Sequence, residues 1–227
     1  MPEARPPLIL PRGLIMLAAI WLIVSWLLAL GLHMPIQPSA AAFTPGVRLM
    51  LLSMAVGLMI GWPLLRLSQQ PTAYPGRQTM LDLFALLALV QIVVWPMRLI
   101  TAWPPVRTAA IDATIIGWAL LAGAMIAAST GVPRRGPRTL AMLACLAMCF
   151  LGPVLAWVGV FTGGHWMDLM DLGPLMAINT LGRGGGAPPS AEQWRWITLL
   201  LAAAVIAWIA LGVVGMFGKG VRSDVER

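Results

Sequence analysis

Thr101-Ala-Trp-Pro-Pro-Val-Arg107 interrupts two long apolar runs, and reading the stretch Asp82 to Ile126 as two helices joined by a tight turn inside a membrane decides the fold. Pro104 and Pro105 deny the break a helix interior. Measured from that proline pair, Arg98 lies behind and Asp112 ahead by similar spacings, so at about 1.5 Å per helical residue both sit roughly 10 Å from the turn. The matched depth predicts an Arg98–Asp112 ion pair facing the helix bundle. Gln91, near the middle of the run before the turn, would extend a polar path from it. Charges inside a membrane are costly, which makes this pair the candidate polar site.

Working outward, the chain has 227 residues, of which 59% are hydrophobic and 10% charged, far below the roughly 25% charged content of soluble domains. Six apolar runs, 14–32, 49–65, 80–100, 109–128, 140–161 and 196–217, each come near the roughly 20 residues that a bilayer core requires. They predict an all-α, polytopic integral membrane protein with six transmembrane helices and no soluble domain. Residues 1–13 read as a proline-rich arm, 162–195 as an outer interfacial connection and 218–227 as a tail. Ten Lys and Arg residues fall on the side of the termini and five on the other. The positive-inside rule therefore places both termini in the cytoplasm of a multi-pass protein of the cell (inner) membrane. The formal net charge of +7 follows the ends of the runs instead of one soluble face, so nucleic acid is not an expected partner. Membrane lipids are.

Local motifs refine this layout. Gly57-Leu-Met-Ile-Gly61 is a GxxxG pattern suited to close helix approach. Thr79-Met-Leu-Asp82 and Ser190-Ala-Glu-Gln193 match the capping box, which assigns Asp82 to a helix N-terminus. The fifth run carries Ala141, Ala144, Ala147, Gly152 and Ala156, small residues that suit a central helix. Trp166 to Ile178 is apolar but too short to cross a bilayer, and is expected to lie on or dip into the outer leaflet. His165, Asp168 and Asp171 would form its wet face, and Gly182 to Pro189 a flexible linker. Cys145 and Cys149 read as core packing, and two cysteines without nearby histidines make no metal quartet. No cofactor, metal or catalytic residue is expected: HExxH is absent, and no serine sits in a protease-like glycine frame.

Six spans, cytoplasmic termini, a polar connection between spans two and three and a long outer segment before span six resemble the membrane domain of an ATP-binding-cassette exporter permease. The resemblance lies in the layout and in no specific motif; the amphipathic interfacial helix usual before the first span is missing. It implies a permease subunit acting as a homo- or hetero-oligomer, a separate ATPase subunit docked on the Ser68 to Gly76 connection, and export of a lipid-like or amphipathic substrate. The competing class is a non-catalytic membrane scaffold or assembly subunit of a larger complex, which needs no polar path.

Overall fold

Prolines start several of the helices, because a first-turn residue has no use for the N–H that proline lacks. The computed structural model describes residues 11–32, 36–69, 74–131, 135–162 and 171–225, with side chains through residue 213. Helix α1 spans Arg12–Trp26 and continues as a π-helical turn, Leu27–Gly31. Helix α2, Ala40–Val56, runs through a second π-helical turn, Gly57–Gly61, into α3, Trp62–Ser68. Helices α4 (Pro75–Thr101), α5 (Pro105–Thr130), α6 (Arg135–Thr162), α7 (Pro174–Arg183) and α8 (Ala191–Val225) follow. Among the described residues there is no strand, and six helices are long and apolar enough to cross a membrane.

Each helix begins earlier than its apolar run, since hydropathy records burial in lipid and not the hydrogen-bonded turns that precede it. The second span starts at Ala40, where the Ser39 side chain accepts from the Ala42 N–H at 3.2 Å. The cap at Ser190 is as expected: its hydroxyl accepts from the Gln193 N–H at 3.1 Å, and the Gln193 side chain accepts from the Ser190 N–H at 2.9 Å. The box at Thr79 is not a cap. Pro75 starts the helix one turn earlier, Thr79 donates its hydroxyl to the Pro75 carbonyl at 2.8 Å, and Asp82 lies fully buried inside the bundle.

The central helix is α5, not α6. In the apolar window of α5 61% of residues are buried, against 22% for α6. Both are rich in small residues, so composition does not separate them. The difference lies in what packs on them: Gly117 of α5 admits Leu200 of α8, and Gly123 admits Leu83 of α4 and Trp208 of α8. A Cβ at either position would come within 3 Å of a leucine side chain. Close approach of this kind is how helices gain packing energy where lipid supplies no hydrophobic drive. Cys145 and Cys149 are buried and unoxidised on the one face of α6 that meets the bundle.

The outer connection is described only in part. Residues 163–170, and with them His165, Trp166 and Asp168, lie outside the described residues. Beyond them α7 begins at Pro174 and docks between α2, α5 and α6. Its buried face carries Ile178, Leu181 and Gly182. Asp171 accepts a hydrogen bond from the Thr180 hydroxyl at 2.8 Å. Burial pushes its carboxyl above the usual carboxylate range, the Thr180 bond opposes this, and nearby Glu192 adds to it.

Candidate functional site

The polar residues read from the sequence are brought together in a different pairing. Asp112 is buried and accepts from the Gln91 side-chain amide; the Gln91 oxygen in turn accepts from the Trp95 indole N–H at 2.7 Å. Arg98 is not part of this chain. Among the described residues the one ion pair is Arg66 with Asp82, and Arg98 sits half-exposed in the last turn of α4, where a cation suits the helix dipole.

The reason is the place of reversal. Ala102 adopts a left-handed backbone with φ of 54°, and Pro104 is extended, so the chain turns back just after Thr101. Gln91 and Asp112 are equally spaced about that reversal, whereas Arg98 is level with the start of α5. In a double-mutant cycle Gln91→Leu and Asp112→Leu should therefore be strongly non-additive in detergent melting, while Arg98→Ala should add independently to either. Coupling of Arg98 to Asp112 as strong as that of Gln91 would refute this arrangement.

A second feature had no signal in the apolar pattern. Helices α1, α2 and α4 leave between them a half-open cavity of about 300 Å³, lined by apolar side chains such as Leu17, Leu58, Leu86 and Val90. Another, of about 550 Å³, lies between α1 and α4 against Trp26, Ile92 and Pro96. Both are lined by Leu22 and together they follow α1 from Leu14 to Leu30. The volumes fall within the roughly 300–1,000 Å³ of small-molecule sites.

The groove is shaped by the π-helical turn at Gly57–Gly61. Such a turn takes one extra residue and disturbs the regular ladder. The Ser53 carbonyl, one turn before it, receives the Trp21 indole N–H from α1 at 3.1 Å, and the Ser25 and Ser53 hydroxyls meet at 2.6 Å. These are the polar ties between α1 and α2. The two glycines of the GxxxG pattern then serve separate ends: a Cβ at Gly57 would come within 2.9 Å of the Trp21 indole nitrogen, while one at Gly61 meets nothing within 4 Å. Gly57 packs a helix, and Gly61 opens onto the groove.

No family model, no curated protein and no solved structure matches the chain. The site therefore rests on its own geometry.

That geometry also includes two arginines, Arg107 and Arg48, whose place in the sequence signals only topological charge. Arg107, in the first turn of α5, is buried and donates to three carbonyls: Leu181, Ala187 at 2.6 Å and Pro188 at 3.2 Å. Leu181 belongs to the last turn of α7, where its carbonyl also takes the Gly184 N–H at 3.4 Å, so the guanidinium reinforces the end of that helix and closes the loop after it. Arg48 of α2 donates from Nε to the Asn179 side-chain oxygen at 3.2 Å, with Nη2 on the same atom. Together they anchor α7 beside the polar chain. Among the described residues no group of three or more His, Cys, Asp or Glu side chains is placed to bind a metal ion.

Proposed function

We propose that this chain is the permease subunit of a membrane transporter whose apolar or amphipathic substrate enters sideways from the bilayer into the groove along α1. The observation that carries this reading is the half-open apolar groove with a glycine at its wall. In this reading both termini and the α3–α4 connection face the cytoplasm of the cell membrane. A separate ATPase subunit docks on the Ser68 to Gly76 connection, of which residues 70–73 lie outside the described structure. The buried Asp112–Gln91 chain supports the bundle next to the path and is not itself the path, since neither cavity is lined by Gln91 or Asp112.

Gly61→Phe tests the groove directly. A side chain there grows into empty space, so the folded yield and melting midpoint should stay close to those of the parent. Labelling by a photoactivatable fatty acid in membranes should map to peptides around Trp21 and Leu58 in the parent and fall about tenfold in the variant. Unchanged labelling in a folded Gly61→Phe protein would remove the groove from the argument. Affinity purification separates the two classes of function: an ATPase stimulated by the substrate should copurify with a permease, whereas a complex without one identifies a scaffold.

A further inference from the structure

Where α3, α4 and α6 end together, a charged cluster remains that neither the groove nor the α7 anchor explains. The Arg66 side chain is only 10% exposed, and its Nε faces Asp82 at 3.2 Å. Its Nη1 donates to the Gln69 side-chain oxygen at 2.7 Å, while Nη2 is buried with no hydrogen-bond partner. Arg138, in the first turn of α6, donates from Nη1 to the Gln69 carbonyl at 2.8 Å, and its Nε and Nη2 are likewise buried without a partner. The Trp62 indole lies beside Asp82, outside hydrogen-bond geometry.

Two features of this arrangement point to a ligand. The first is charge: the cluster holds two guanidiniums and one carboxylate, which pairs with Arg66 alone, so it keeps one positive charge in excess. The second is the donor count. Three guanidinium nitrogens, Arg66 Nη2 and Arg138 Nε and Nη2, face no acceptor, and a buried donor left unpaired is a standing cost that native structures seldom carry without a reason. Gln69 reaches both arginines with neutral oxygens, one from its side chain and one from its backbone. Asp82, held in turn by the Gln78 amide at 3.2 Å, fixes the direction in which Arg66 presents its remaining edge. A group bearing several anionic oxygens would satisfy all of these donors, and guanidinium is the side chain best matched to phosphate.

We propose that Arg66 and Arg138 form a phosphate-binding site, from which the exposed Gln69 side chain moves aside so that phosphate oxygens replace its own. The phosphate belongs either to an anionic lipid headgroup or to a free phosphate. The lipid source is consistent with the neighbourhood, because Trp62 and Leu65 line the apolar groove within one turn of Arg66. The proposal stands whether or not the groove carries a transport substrate.

The test uses the full chain in detergent. Retention of phosphatidylglycerol is measured by native mass spectrometry against phosphatidylcholine, whose own cation neutralises its phosphate, and melting is followed in inorganic phosphate against chloride at matched ionic strength. Arg138→Gln should weaken binding about tenfold, the loss expected for a charge-assisted contact. Arg135→Gln, an exposed residue on the same turn, should change it less than about twofold, because surface charge is screened. Selective retention of phosphatidylglycerol that depends on Arg138 assigns the site to a headgroup; an Arg138-dependent melting shift in inorganic phosphate alone assigns it to the soluble ion. Equal effects of the two variants, or no dependence on Arg138 for either ligand, overturn the site. If Arg138→Gln does not fold, Gln69→Ala decides: removing the competing side-chain oxygen should raise retention about threefold, and unchanged retention overturns the site equally.

Discussion

Arg107→Ala should be among the most damaging single substitutions in the chain, lowering stability by about 2–4 kcal/mol. The buried Leu181 carbonyl loses its charged donor and keeps only the longer bond from the Gly184 N–H at 3.4 Å, a loss of roughly 1–3 kcal/mol, and the vacated volume adds a cavity term. The Ala187 and Pro188 carbonyls, on exposed residues, can rehydrate and contribute less. Arg107→Lys should recover only part, since an ammonium cannot reach three carbonyls in a fixed fork. Gly184→Ala should resemble Arg107→Ala, because a Cβ at Gly184 would fall on the Arg107 guanidinium. The failure should be local before it is global. A cysteine at Ile178, only 1% exposed in the parent, should become reactive to a water-soluble maleimide in the Arg107→Ala background. Parent-like melting together with a protected cysteine would show that α7 is held by its apolar face alone.

The second large effect is expected at the other end of the bundle. Asp82 is fully buried and Arg66 nearly so. Removing one partner therefore leaves a charge in a place that cannot solvate it. Asp82→Leu and Arg66→Met should each cost about 3–5 kcal/mol, whereas the double variant should recover most of that loss, as buried pairs replaced by apolar side chains often do. Melting of the four proteins in detergent closes the cycle. Strictly additive losses would mean that each side chain is held by Gln78 or Gln69 independently and that the ion pair carries no weight. The same experiment separates two readings of Asp82, because a carboxylate that served only the helix dipole would cost no more than about 1 kcal/mol on removal.

The two readings of Asp82 show why the charged residues were harder to read than the spans. Thr79-Met-Leu-Asp82 satisfies a capping pattern, yet the pattern competes with Pro75, which begins the helix a turn earlier at no cost. The Thr101–Arg107 break reads as a hairpin and is one, but the depth of residues across it depends on where the backbone reverses. One left-handed residue, Ala102, moves that point and exchanges Arg98 for Gln91 as the partner of Asp112. Arg107 signals in the sequence only its charge. A signal was available in the proline at position 174, which marks a helix start, and in the glycines that follow that helix. Even so, nothing local says that the carbonyls at its end would face the first turn of α5.

What the sequence by itself determined is the class and the count: six helices long and apolar enough to span a membrane, several with starts marked by a proline or a Ser-x-x-Gln cap. These are properties of a window of about 20 residues or of a single turn, where hydrophobic length and backbone hydrogen bonding act locally. Only the tertiary structure decided that α5 is the central helix, that α7 docks against the bundle, that α1 stands off from α2 and α4 to leave a groove, and which partner each buried charge takes. Those outcomes depend on which small residue meets which leucine or guanidinium from a distant part of the chain. Runs of similar apolar composition, such as α5 and α6, carry no local trace of that choice, since in lipid the preference among helix faces comes from close packing and satisfied polar groups.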